Sequence, residues 1–246
     1  MKFLSWKIWV SLGLIGLSVA IYLANYLIFR DAGYMFRLLL AQLGFLPISV
    51  LLVTIIVNQL LAHRARAAKL SKLNMVIGTF LSEVGTQLLK MISAYDLKAA
   101  DFRQNLSSLA NWSDADFAAF PKRLADYKFE MDAAAGDLRT LRDFLESKKD
   151  FLLRLLENPN LLEHDSFSNL LLAVFHLSEE LSQRRDLEHL SPADREHLAV
   201  DLKRAYTRLI KEWLAYLGHL NQNYPYLFSL ALRTNPFDPA ASPEIK

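Results

Sequence analysis

The stretch LNMVIGTFLSEVGTQLLKM, residues 73–91, decides the architecture of this chain, because it is apolar and follows two long apolar segments. Glu83 and Lys90 interrupt it, so the charge-free run that a membrane span needs is missing. Its apolar residues recur at steps of three and four, at Leu73, Ile77, Phe80, Val84, Leu88, Met91 and Tyr95. This spacing predicts an amphipathic helix and not a third span. We expect residues 63–97 to form a juxtamembrane connecting helix.

A strip of small residues runs along a third side of this predicted helix. Gly78, Ser82 and Gly85 are four and three residues apart, which places them close together on one face. A glycine in a helix interior costs about 1 kcal/mol relative to alanine, so the strip needs a packing reason. The sequence leaves two packing partners open for the strip: a neighbour within the same chain, or another subunit at an interface.

Two uncharged apolar segments precede the stretch. Residues 8–29 contain 22 residues without a charge, and residues 38–62 contain 25 more. A helix needs roughly 20 apolar residues to cross the hydrocarbon core of a bilayer. The connector from Arg30 to Arg37 has only eight residues. The sequence therefore predicts a transmembrane helical hairpin over residues 1–62, with spans at about 8–29 and 38–62.

Basic residues predict the orientation of this hairpin. Two lysines precede the first span and four basic residues follow the second, against two arginines in the connector: Lys2 and Lys7; Arg64, Arg66, Lys69 and Lys72; Arg30 and Arg37. The positive-inside rule then places both termini in the cytoplasm, in a multi-pass protein of the inner (plasma) membrane. We expect Arg64, Arg66, Lys69 and Lys72 to contact the anionic surface of the lipid bilayer.

Three amides are the polar residues to explain within the spans: Asn25, Gln42 and Asn58. None of them is ionisable, so a proton relay of the carboxylate kind has no candidate. One interpretation is hydrogen bonding between helices. The other is that several hairpins assemble and line a pore with Gln42, Thr54 and Asn58.

The patterns in the remainder of the chain predict helices, so the predicted fold class is all-α. A seven-residue repeat runs from Leu124 to Leu155 and predicts one long helix packed lengthwise on a partner, as in a coiled coil. Ser113, Asp165-Ser166 and Ser191-Pro192 are predicted helix starts. We expect a cytoplasmic helical bundle over residues 98–233. Residues 234–246 hold three of the eight prolines and predict a flexible tail.

Composition excludes several classes of protein. Residues 63–72 carry four basic residues and no acid, whereas the residues beyond them carry 20 basic and 25 acidic ones. This is not the concentrated basic face of a nucleic-acid-binding protein. The chain has no cysteine, which excludes cysteine nucleophiles and cysteine metal sites. Its glycines after residue 62 are not clustered, so no phosphate-binding loop is predicted. We expect neither catalysis nor a cofactor.

One repeated pattern could bind a metal ion. The stretch DLEHLSPADREH, residues 186–197, contains D-x-E-H twice, with Asp186 and His189 in the first copy and Asp194 and His197 in the second. A carboxylate and an imidazole three residues apart on a helix can ligate one metal ion. The alternative is that these are surface residues, with acids in a first helical turn favoured by the helix dipole. His176 with Glu179 and Glu180 is a weaker group of the same kind.

These patterns favour a non-enzymatic membrane protein. We expect the cytoplasmic bundle to act as an interaction, signalling or scaffold module, with a protein partner on the cytoplasmic side and no nucleic acid. We also expect the chain to form a homo-oligomer. The alternative is an oligomeric ion channel gated by the bundle, and a third hypothesis is a metal-dependent enzyme that uses the D-x-E-H repeat.

Overall fold

A computed structural model of the chain describes residues 2–106, 108–158, 161 and 164–244; for residues 2–5, 7 and 65–71 it describes only the backbone. The all-α prediction is confirmed, since this part of the chain contains helices and no strand. One isolated bridge joins Asp96 to Met131. The chain divides into two compact units, Met1–Ala67 and Ala68–Lys246.

The first unit holds one long apolar helix and the apolar first part of a second, which continues into the second unit. Helix α1 is Lys2–Phe29, and helix α2 is Ala32–Phe80. Within them Ile8–Phe29 and Ala32–Arg64 are long and apolar enough to cross a membrane, with mean hydropathies of 2.0 and 2.4. None of the residues of these two stretches is buried by the rest of the chain.

The link between the two helices is shorter than the predicted eight residues. It consists of Arg30 and Asp31, because α2 already begins at Ala32. Arg30 adopts a left-handed conformation with φ of 48°, which turns the chain. The carboxylate of Asp31 accepts a hydrogen bond of 2.9 Å from the backbone N–H of Tyr34 and so caps the helix.

The second unit is a bundle of short and long helices around one long helix, Pro192–Asn223. After α2 come a π-helical turn (Leu81–Gly85), α3 (Thr86–Ser93), α4 (Ala99–Asn105), a 3₁₀ turn (Leu109–Asn111), α5 (Asp114–Asp126), α6 (Leu138–Ser147), α7 (Lys149–Leu156), α8 (Asp165–Gln183), α9 (Pro192–Asn223) and α10 (Pro225–Arg233). Helix α9 packs against α3, α5, α8 and α10. The predicted start at Ser191 is observed, since its hydroxyl accepts a hydrogen bond from the backbone N–H of Asp194.

The amphipathic stretch over residues 73–91 packs its apolar side against α9. All seven residues of the predicted stripe are buried except Met91, which is half-buried. The π-helical turn inserts an extra residue into the helical repeat, so Leu81 is buried as well as Val84. The polar residues Thr79, Glu83 and Lys90 are exposed, as an amphipathic helix requires.

The seven-residue repeat does not produce one continuous helix. Helix α5 ends at Asp126, residues 127–137 are not helical, and α6 and α7 follow with a break at Lys148. The leucines of the repeat are still buried, but on separate helices. The intervening backbone instead bonds to the loop after α3, from Leu97 N–H to Glu130 O (2.9 Å) and from Asp132 N–H to Tyr95 O (2.9 Å).

Aromatic side chains pack around the non-helical segment over residues 127–137 and contact the C-terminal segment. Phe129 packs on Tyr206 of α9 and on Phe102 of α4, with ring centroids 5.1 and 5.2 Å apart. Phe237 lies within the predicted flexible tail, yet its side chain is only 3% exposed and contacts Phe102, Tyr206 and Trp213. The segment is therefore docked on the bundle at Phe237. The last two residues of the predicted tail lie outside the described residues.

Candidate functional site

Helices α8 and α9 bring together four side chains that can ligate a metal ion. His176 and Glu180 lie one turn apart on α8, and His197 and Asp201 lie one turn apart on α9. The helices run antiparallel, so each histidine faces the carboxylate of the other helix. One ligand atom from each residue lies within 4.8 Å of all the others. We call these four residues the His–carboxylate cluster.

The imidazoles make the closest approaches across the cluster. His197 Nε2 lies 3.5 Å from Glu180 Oε2 and 3.3 Å from Asp201 Oδ2. His176 Nε2 lies 3.4 Å from Asp201 Oδ2 and 3.9 Å from Glu180 Oε1. Both Nε2 atoms therefore converge on one carboxylate oxygen, Asp201 Oδ2.

Asp201 is the buried member of the cluster. Its side chain is 2% exposed, whereas those of His176 and His197 are 44% and 53% exposed. Asp201 Oδ1 accepts a hydrogen bond from Arg204, which orients the carboxylate. Asp201 Oδ2 accepts none from the described residues, because the two imidazoles are near it without hydrogen-bond geometry. An unpartnered carboxylate oxygen at this depth carries a desolvation cost that a bound cation would offset.

Arg184 holds the second carboxylate of the cluster. Its guanidinium donates a hydrogen bond of 2.6 Å to Glu180 Oε2 and lies 3.4 Å from Asp194 Oδ1. The Arg184 hydrogen bond, with smaller contributions from His197 and His176, holds the pKa of Glu180 below its ordinary value. A hydrogen bond from Ser191, assisted by Arg184, lowers the pKa of Asp194. Glu180 is therefore an ionised carboxylate at neutral pH.

Two domain families match the chain. One, described as the C-terminal helical domain of the uncharacterized protein MJ1433, matches residues 69–233, and the N-terminal helical domain of MJ1433 matches residues 2–61. The chain belongs to the MJ1433 family. The uncharacterized protein MJ1433 of Methanocaldococcus jannaschii is 46% identical over 229 residues, which cover 93% of this chain and 92% of that protein. No solved structure matches the chain.

The D-x-E-H repeat of this MJ1433-family chain does not assemble as one site. His197 alone joins the His–carboxylate cluster, while Asp194 bonds to Ser191 and Arg184. Asp186 and His189 lie on the connector between α8 and α9, where Asp186 Oδ2 is 2.9 Å from His189 Nδ1. Because the connector is not helical, the three-residue spacing of Asp186 and His189 does not place them on a helix face shared with Asp194 and His197.

His189 instead lines a cleft of about 760 Å³ between the connector and the start of α6. Arg139 and Glu188 form an ion pair of 2.8 Å there, and Arg195 is a further wall residue. The cleft has charges of both signs, and its ion pair is exposed to solvent. Nothing in this arrangement selects one kind of ligand.

Two members of the cluster were not predicted as partners of His197. Glu180 was predicted only with the weaker group around His176, and Asp201 was not a predicted ligand. The available signal was H-x-x-x-E at residues 176–180 followed by H-x-x-x-D at residues 197–201, on two consecutive predicted helices. In an α-helix, residues four apart share a face, so both pairs could have been recognised as potential ligands.

The polar residues of the N-terminal helices have different surroundings. Tyr22 of α1 donates a hydrogen bond to Gln42 Oε1 of α2, so this amide is paired between helices. Asn25 is half-buried, and its Oδ1 accepts no hydrogen bond from the described residues. Asn58 is exposed.

The small-residue strip of the MJ1433-family chain is split by the π-helical turn. A Cβ on Gly78 would lie 2.4 Å from the Tyr216 hydroxyl of α9, and one on Gly85 would lie 2.6 Å from Leu81 Cδ2. A neighbour within the chain therefore accounts for Gly78. Ser82 is exposed. Arg64 and Lys72 of the basic segment are exposed, and the side chains of Arg66 and Lys69 lie outside the described residues.

Proposed function

We propose that this protein is an integral membrane protein whose C-terminal helical domain serves as an interaction and signalling module. The observation that carries the proposal is that no residue in Ile8–Phe29 or Ala32–Arg64 is buried and nearly all are exposed, although the two stretches consist mainly of apolar side chains. Soluble monomers rarely expose apolar patches larger than a few hundred Å². A lipid bilayer covers such a surface along its whole length.

The backbone and the paired amide agree with a lipid environment. Each helix satisfies its own backbone hydrogen bonds, which a bilayer requires because it contains no water to replace them. The hydrogen bond from Tyr22 to Gln42 pairs a polar side chain between the two helices, as polar groups inside membranes are paired. In the proposed hairpin, Arg30 and Asp31 form the turn.

The proposed orientation places both termini and the helical domain in the cytoplasm, on the basis of the lysines and arginines that flank the spans. Because the chain has no cysteine, single cysteines can report each side of the membrane. We expect Ala32→Cys, beside the turn, to react with a membrane-impermeant maleimide in intact cells. We expect the matched variant Ala241→Cys to react only after permeabilisation. The reverse pattern would refute the orientation, and release of the protein by alkaline carbonate would refute the anchor.

Self-association is the second part of the proposal. Asn58 presents an amide on the exposed surface of α2. Within lipid, a hydrogen bond from this amide to a second copy of the chain would stabilise the association. We expect the detergent-solubilised protein to have the mass of an oligomer by light scattering, and Asn58→Leu to weaken it. Gln42→Leu is the matched control, since that amide is already paired within the chain. A strictly monomeric wild type contradicts this part.

An oligomeric channel gated by the helical domain is the alternative function. It is favoured by Thr54 and Asn58, which are four residues apart and both exposed on one face of α2. Reconstituted vesicles that contain the folded oligomer would then conduct ions, and Asn58→Leu would change the conductance. Absence of flux from such vesicles excludes the channel and leaves the interaction module.

A further inference from the structure

We propose that His176, Glu180, His197 and Asp201 bind one divalent transition-metal ion between α8 and α9, with zinc as the best-fitting ion. This inference does not depend on the membrane anchor or on the oligomeric state. Its starting point is the pairing of an imidazole with a carboxylate one helical turn away, which occurs once on each of the two neighbouring helices.

The separations of the ligand atoms match a tetrahedral site. With metal–ligand bonds of about 2.0–2.1 Å, neighbouring ligand atoms of a tetrahedron lie about 3.3–3.4 Å apart, since the edge is about 1.63 times the bond. The two imidazoles lie 3.3 and 3.4 Å from Asp201 Oδ2. Glu180 approaches them through different oxygens, with Oε2 3.5 Å from His197 and Oε1 3.9 Å from His176. Adjacent ligands of a magnesium octahedron lie only about 3.0 Å apart, at about 1.41 times the bond. A tetrahedral site would form if side-chain movements brought all four ligand atoms, which lie within 4.8 Å of one another, to this spacing.

The donor atoms narrow the choice of ion. Calcium and magnesium prefer sites built from oxygen ligands, with six or more around the ion. Two imidazole nitrogens with two carboxylate oxygens suit zinc, and the same ligands accept cobalt as a tetrahedral substitute.

Asp201 supplies an independent observation in favour of a bound ion. Its Oδ2 is buried and accepts no hydrogen bond from the described residues, although the Nε2 atoms of His176 and His197 lie only 3.4 and 3.3 Å from it. A simple ion-pair network explains this less well, because Arg184 and Arg204 already neutralise Glu180 and Asp201. Arg204 binds Asp201 through Oδ1 and leaves Oδ2 to the cluster, as a residue that orients a metal ligand does.

The histidines of the cluster are more exposed than Asp201, and all four ligands come from the protein. These two features indicate how an ion would enter and which role it would have. It would enter past the exposed imidazoles and contact the buried Asp201 last. Four protein ligands fill a tetrahedral zinc ion, which is typical of structural sites and leaves no position for a substrate. The ion would therefore fasten α8 to α9 and make the stability of the helical domain depend on metal supply.

The test uses the full-length protein in detergent, stripped with a chelator and then titrated with zinc alone. We expect one zinc per chain by elemental analysis and a rise in the midpoint of thermal unfolding of about 5–10 °C when free zinc is 100 times the dissociation constant. Substitution of cobalt should give the intense visible absorption of four-coordinate cobalt, which six-coordinate cobalt lacks.

Variants separate a built site from adventitious binding. We expect His176→Ala and His197→Ala each to weaken zinc binding on the order of 100-fold or more, since each removes a direct ligand. His189→Ala is the matched control, because this exposed histidine lies outside the cluster, and it should bind as the wild type does. Circular dichroism of the zinc-free variants checks that they are folded. Unchanged zinc binding in the His176→Ala/His197→Ala double variant, or a six-coordinate cobalt spectrum in the wild type, would overturn the proposal.

Discussion

Replacement of Gly136 by alanine tests the close packing between the non-helical segment and the loop after α3. A Cβ at this position would lie 2.6, 2.7 and 2.9 Å from three ring atoms of Tyr95. Carbon atoms in contact are optimally about 3.5–4.0 Å apart, so the methyl group overlaps the ring by close to 1 Å. The ring cannot move out into solvent, because Tyr95 is 1% exposed and lies within the core.

The expected loss of stability follows from two opposing effects. Overpacking of a filled core costs about 1–3 kcal/mol. Replacement of glycine by alanine recovers about 0.4–1 kcal/mol, because the unfolded chain has fewer conformations to lose. The net free energy of unfolding should therefore fall by about 1–2 kcal/mol. For a unit of this size, that corresponds to a decrease of about 2–8 °C in the unfolding midpoint.

Thermal unfolding of the detergent-solubilised protein, followed by circular dichroism, measures this change. Gly78→Ala is the matched control, since its new methyl group meets the hydroxyl end of the half-buried Tyr216, which can move aside, so its loss should be smaller. In a Tyr95→Leu background, Gly136→Ala should lose most of its effect, because the ring is gone. A neutral Gly136→Ala in the wild type, or equal losses in both backgrounds, would refute the reasoning.

Three further predictions concern the same domain. Burial raises the pKa of Asp96, so in the pH range just above 3.8 the folded protein keeps a proton that the unfolded chain releases, and stability falls as pH rises through that range. Asp96→Asn should remove this pH dependence of the urea midpoint. Compared with the wild type, the variant should therefore gain stability between acidic and neutral pH. Ser191→Ala should cost about 1 kcal/mol in urea unfolding, because α9 loses the cap that Ser191 provides to Asp194 N–H. Phe237→Ala should cost about 3–5 kcal/mol and expose the C-terminal segment to limited proteolysis; resistance equal to the wild type would show that its docking contributes little.

The sequence by itself determined the helices whose signals are local. An apolar run of sufficient length predicted a helix over residues 8–29, and these residues lie within α1, Lys2–Phe29. The three- and four-residue spacing of the stretch from residue 73 identified most of its buried side chains, but not Leu81 and Leu89. Ser113 and Ser191 identified the starts of α5 and α9, because a capping hydroxyl bonds to a backbone N–H only three residues away.

Only the tertiary structure decided the features that depend on distant residues. The repeat that starts at Leu124 predicted one helix, but bonds to the loop around Asp96 and burial of Phe129 outweigh helix formation over residues 127–137. The same holds for Gly78, whose neighbour Tyr216 lies far away in the chain. The His–carboxylate cluster forms because the antiparallel register of α8 and α9 sets His176 opposite Asp201. Register arises from side-chain packing along two whole helices, and no single motif within either one encodes it.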